Sequence, residues 1–106
     1  MWFVFPQIAG LGRSPTAQFY AIADGDEARA YLEHELLGPR LCESTQAMLT
    51  WAGARSAERI LGTIDALKFQ SSMTLFEACA GDPAAFSTAL DAFYDGKRDT
   101  ATLARL

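Results

Sequence analysis

The stretch Asp82-Pro83-Ala84-Ala85-Phe86-Ser87-Thr88-Ala89-Leu90-Asp91-Ala92-Phe93-Tyr94-Asp95-Gly96 decides the fold class. Asp82 is a capping acid, and Pro83 suits the first helical position, where its missing N–H costs nothing. Phe86, Ala89, Leu90, Phe93 and Tyr94 then recur at i, i+3, i+4, i+7 and i+8, the spacing of one helical face. Gly96 closes the segment. Downstream, Asp99 is placed to cap a last short turn ending in Leu103.

The same signals repeat upstream. Asp24-Gly25-Asp26-Glu27 resembles a capping box, and Ala28, Tyr31, Leu32 and Leu36 follow at helical spacing. Gly38-Pro39 predicts the end of that helix and the start of another, with Pro39 first. Leu41, Cys42, Thr45, Met48, Leu49 and Ala52 form the next stripe, closed by Gly53. Both cysteines, Cys42 and Cys79, lie on apolar stripes and read as buried small hydrophobes. Ser56 predicts a short helix to Leu61, stopped by Gly62, and a further segment runs from Thr63 or Asp65 to Leu67. Phe69-Gln70-Ser71-Ser72 reads as a break before a buried helix over Met73–Ala80. Ile8–Pro15 reads as loop, and Ala17–Ile22 fits a short helix or an extended piece. No segment alternates with period two. The expectation is an all-α single domain over residues 1–106, an irregular bundle of five or six helices.

Composition narrows the function classes. The chain has 106 residues, half of them hydrophobic and 21% charged, with a net charge of −4. It can bury a core, and it lacks the basic footprint of a nucleic-acid binder. The opening apolar run, Met1–Pro6, is far short of the ~20 residues that span a membrane, and no cation precedes Arg13. Two distant cysteines and one histidine suit neither a disulfide framework nor a zinc site, and point to a reducing, cytoplasmic setting. No GxSxG, HExxH, GxGxxG or EF-hand spacing occurs, so neither a metal nor a cofactor is expected. The acids at 24, 26, 27, 33, 35 and 43 read as a solvated face. Trp2, Trp51 and the phenylalanines read as core.

Two constellations remain. If a helix starts at Ser71 or Ser72, its free N–H groups, the hydroxyls of Ser71, Ser72 and Thr74, and the charge of Lys68 make an anion site. The alternative is that the serines only cap the helix. His34 is the second candidate, an acid/base group flanked by Glu33 and Glu35. Against it, adjacent residues on a helix do not face each other, and a surface histidine near a helix end is the commoner case. Arg40 would clamp an anion or pair with an acid such as Glu43.

Trp2-Phe3-Val4-Phe5-Pro6-Gln7, Tyr31-Leu32-x-His34, Leu37-Gly38-x-Arg40-Leu41 and Ser71-Ser72-Met73-Thr74-Leu75-Phe76 resemble one bacterial family over nearly the whole chain. It is domain-of-unknown-function family 1810, whose members are sometimes labelled calpastatin. Calpain inhibitors of that name are disordered and repetitive, and this chain is neither. The resemblance implies a small helical cytoplasmic domain and brings no activity, cofactor or catalytic residue. Family members usually carry Pro where Glu35 stands, and a further helical stretch and a His-Trp pair ahead of the position of Met1. This chain would lack that helix.

Two functions follow as expectations. One is binding of a small anionic, phosphate-bearing ligand by Arg40, Lys68, Ser71, Ser72 and Thr74, with His34 as acid/base. The other is a non-catalytic interaction module or homodimer that uses the apolar N-terminus, Trp2, Phe3 and Phe5.

Overall fold

The computed structural model describes residues 4–11 and 21–106. Among them are six helices: α1 (Gly25–Glu33), α2 (Leu37–Leu49), α3 (Ala57–Leu61), α4 (Thr63–Cys79), α5 (Ala84–Tyr94) and α6 (Thr100–Ala104). They hold well over half of the described residues, and no strand occurs there beyond one parallel bridge between Ile8 and Ile22. The all-α expectation stands. No described helix is long and apolar enough to cross a membrane. The expectations for Trp2, Phe3 and the stretch 12–20 fall outside the described residues.

α4 organises the rest, packing against α1, α3, α5 and α6, while α2 packs on α1 and α5. Every residue from Ser71 to Phe76 is buried, so this half of α4 is enclosed all round, as a central helix must be. Phe69 stacks edge-on against Phe5, with ring centroids 4.6 Å apart, and also meets Phe93 and Tyr94. Phe76 lies between Tyr31 and Phe86. Phe5 is therefore buried in its own core and contributes nothing to an open N-terminal patch. Side chains of this size gain about 1.5–3 kcal/mol each on full burial, which fixes the extended N-terminal segment on α4.

Three helix starts follow their caps. Asp24 Oδ1 accepts from Glu27 N at 2.9 Å, and Glu27 Oε2 in turn accepts from Ala23 N. Ser56 Oγ accepts from Arg59 N, and α3 ends at Gly62, whose φ of +89° suits glycine. Asp99 caps α6 through Thr102 N. At α5 the boundary moves by one residue: Pro83 takes the cap position and Asp82 Oδ1 accepts from Ala84 N.

Two boundaries differ from the sequence reading. Residues 69–72 are no break, because α4 runs unbroken through them. Ser71 and Thr74 return their hydroxyl hydrogens to the carbonyls of Leu67 and Gln70, four residues back, which lets them sit inside a helix. Gly38-Pro39 is not the junction of two helices but part of the first turn of α2, where a proline needs no N–H partner. The junction lies earlier, at His34–Leu36. Gly38 is buried against α1, where a Cβ would sit 2.9 Å from the carbonyl carbon of Leu32 and closer still to its oxygen.

Candidate functional site

A polar stripe on α4, at residues 70, 71, 74 and 77, faces the C-terminal arm. Gln70 Nε2 donates to Lys97 O, and Asp99 N donates to Thr74 Oγ1, both at 2.9 Å. The single Ser71 hydroxyl hydrogen is shared between Leu67 O, at 3.1 Å, and Asp99 Oδ2, at 2.9 Å, and that carboxylate oxygen also takes the N–H and hydroxyl of Thr102. Glu77 accepts two bonds from the Arg98 guanidinium and one from Ser87, tying α4, α5 and the arm together. The Arg98 hydrogen bonds, with a further contribution from Ser87, hold the Glu77 carboxyl below its ordinary range against the opposing effect of partial burial. Tyr94 donates its hydroxyl to Ala66 O, and burial pushes that phenol well up. Ser71 and Thr74 of the Ser-Ser-Met-Thr motif are thus engaged with Asp99.

Beside this clasp lies an open cleft of about 270 Å³. Three separate segments wall it: Gln7 and Leu11 from the N-terminal arm, Ile64, Leu67, Lys68 and Ser71 from α4, and Asp99 and Ala101 from the C-terminal arm. The two arms also touch each other, since the Arg105 guanidinium lies over Gly10. Lys68 Nζ is 3.9 Å from Asp65 Oδ1 along the same helix. Ile64 and Leu67, one turn apart, are 71% and 61% exposed on a helix whose other half is core.

Of the residues singled out from sequence, Lys68 and Ser71 meet in this cleft. The helix start that would have aimed N–H groups at an anion is absent, because Ser71 and Ser72 lie mid-helix with their N–H groups in the α4 ladder. Thr74 is buried with its hydroxyl engaged, and Ser72 Oγ is buried with no hydrogen-bond partner among the described residues.

His34 lies elsewhere, in a groove with Glu27 and Tyr31. It ends α1, and its Nδ1 accepts from Leu36 N at 3.1 Å and Leu37 N at 3.2 Å, so the imidazole caps α2. Arg40 is exposed on α2, and its charge acts on Tyr31, whose phenol is pushed up by burial and eased down by that guanidinium. No Arg40–Glu43 ion pair forms among the described residues.

Two further expectations, the burial of Cys42 and of Trp51, are not met. Cys42 is exposed, off the buried face formed by Leu41, Thr45 and Met48, whereas Cys79 is buried and its thiol pushed up by that burial. Trp51 is 46% exposed, with the Arg55 guanidinium 4.9 Å above its ring. Together with Val4, Met48 and Ile60 it lines a second groove of about 300 Å³. The acids at 24, 26, 27, 33, 35 and 43 are all exposed, as read.

Sequence reasoning did not nominate Gln7, Ile64, Leu67 or Asp99 for a site. Asp99 was visible only as a cap, and Gln7 only as the last residue of an aromatic run. Ile64 and Leu67 carried a signal: large apolar residues off the stripe that buries Ala66, Phe69 and Met73.

Comparison with known proteins agrees with this fold. A family model described as "Protein of unknown function (DUF1810)" matches residues 1–106. The crystal structure of the conserved hypothetical protein Rv1873 from Mycobacterium tuberculosis is similar with a TM-score of 0.93 and 48% sequence identity, covering 99% of this chain and 74% of that one. No curated protein matches the chain. With the whole sequence matched and a like fold at this identity, the chain belongs to the DUF1810 family of proteins of unknown function.

Proposed function

We propose that the domain binds a small ligand bearing an anionic group in the cleft between α4 and the two chain arms. The observation that carries this reading is the convergence of Lys68 on one cleft with the Gln7 amide, beside Ser71, whose hydroxyl is engaged by Leu67 and Asp99. Arg40, Ser72, Thr74 and His34 have no part in this version of the site. The free thiols of Cys42 and Cys79 suit a cytoplasmic setting, and the mycobacterial neighbour suits a bacterial one. The test is a thermal-shift series of small carboxylates and phosphate esters at constant ionic strength, on the wild type and Lys68→Gln. One class should raise the melting temperature, and Lys68→Gln should blunt the rise. Equal rises in both proteins would be general salt exclusion and would end the reading.

The second reading, an interaction module or homodimer, is favoured by the Val4–Trp51 groove, whose rim residues are 41% and 46% exposed. Light scattering over a concentration series tests it: association lost in Trp51→Ser supports the groove, and a monomer throughout removes the homodimer.

A further inference from the structure

We propose that His34 is a pH-sensitive latch on the joint between α1 and α2: neutral, its ring caps α2, and protonated, it releases the first turn of that helix. Nδ1 accepts from Leu36 N at 3.1 Å and from Leu37 N at 3.2 Å. A ring nitrogen that accepts carries no hydrogen, so the imidazole is neutral here and holds its hydrogen on Nε2. Protonation turns Nδ1 into a donor aimed at two donors, and the cap is lost. The helix ends act in the same sense. His34 also closes α1, its own N–H bonded to Ala30 O and Tyr31 O. A cation is favoured at the C-terminal end of a helix and disfavoured at the N-terminal end. The charged ring is therefore drawn away from the start of α2 and towards the end of α1.

Among the described residues α1 packs against α2 and α4. On α1, Glu27 and Tyr31 share a groove with the ring, and Glu33 and Glu35 flank it in the chain, both exposed. On α2, the charge of Arg40 acts on the Tyr31 phenol. On α4, Phe76 meets Tyr31, while the ionisable groups lie elsewhere: Asp65 is near Lys68, Glu77 is bound by Arg98, and Cys79 faces Asp26 and Arg29 in the first half of α1. The acids favour a charged ring and Arg40 opposes it, but none of them returns a lone pair to a protonated Nδ1. The release is local. Gly38 rests on the Leu32 carbonyl, and Leu41, Thr45 and Met48 are buried, so α2 is held from Gly38 onward. What is freed is Leu36, 57% exposed, and Leu37, which walls the groove beside Tyr31.

Amide exchange of the 106-residue protein tests this, expressed as protection relative to the unstructured-chain rate at each pH. The series runs from about pH 8 to about pH 5, where imidazoles titrate, with the ring proton resonances following His34 itself. Glu77 acts lower, below the ordinary carboxyl value of 4.5. Protection at Leu36 and Leu37 should fall about two- to thirtyfold as the ring protonates, the equivalent of one helix cap, while Thr45 holds steady. His34→Asn puts a group there that does not titrate, so its protection should stay level over the range. Level protection in the wild type across the ring's titration would overturn the proposal. So would an equal fall at Thr45, which would be loosening of the whole domain, or the same fall in His34→Asn, which would belong to the neighbouring carboxylates.

Discussion

Gly38 of α2 lies directly on the Leu32 carbonyl of α1, closer than any side chain permits. The backbones of the two helices touch there, and the Leu-Gly-Pro-Arg run is a packing motif first. Gly38→Ala should cost about 1–3 kcal/mol or more, the range for overpacking a tight site. Urea denaturation measures it. A neutral result would mean that α1 and α2 can separate without penalty.

His34→Ala should lower stability by about 0.5–2 kcal/mol, as the loss of a helix cap does. His34→Asn, which offers a cap acceptor of another length, should recover part of the loss. Two N–H groups at the start of α2 lose their acceptor in the alanine variant, so their hydrogen exchange should speed up. Unchanged exchange at Leu36 and Leu37 would remove the capping role.

Thr74→Val removes the acceptor of the Asp99 N–H while keeping the side chain's shape. A buried donor left unpaired costs about 1–3 kcal/mol, so this part-buried one should cost toward the lower end, and the loss should appear first as faster exchange in α6. Uniform destabilisation, with α6 no faster than α5, would place the effect in the core.

Glu77 makes stability depend on pH in a defined direction. Its carboxyl is held below the ordinary value of 4.5 in the folded chain. Its contribution is therefore complete above about that pH and is lost as pH falls through the lower folded value. Glu77→Gln should lower the melting temperature at pH 7 and flatten the decline on acidification. Parallel curves for the two proteins would show that other carboxylates set the acid limit.

Most of the fold is legible in the sequence where one local rule acts alone. Asp24, Ser56 and Asp99 cap helices because a short polar side chain reaches a free N–H, and that depends on nearby residues only. The reading fails where distant contacts overrule local preference. Ser71 and Ser72 disfavour a helix by themselves, yet the surroundings of α4 bury them, and Asp99, from 28 residues away, engages the first. His34 is outside the usual set of capping residues, so the end of α1 was hidden behind the more conspicuous Gly38-Pro39. The cleft was half legible: Lys68 and Ser71 stood out as charge and hydroxyl, while Asp99 and Gln7 come from segments that only the folded chain brings beside them.

The clasp on α4 bears on how the protein is made. The polar stripe at Gln70, Ser71, Thr74 and Glu77 finds its partners in residues 97–99, near the very end of the chain described. A ribosome delivers those residues after the helix they bond to. Until they emerge, Gln70 and Glu77 lack their partners in the arm, and the outer flank of the central helix stays unsealed. Closure over this stripe therefore waits for residues 97–99 to emerge, and a nascent chain halted short of Arg98 should remain open to proteases that the finished protein resists.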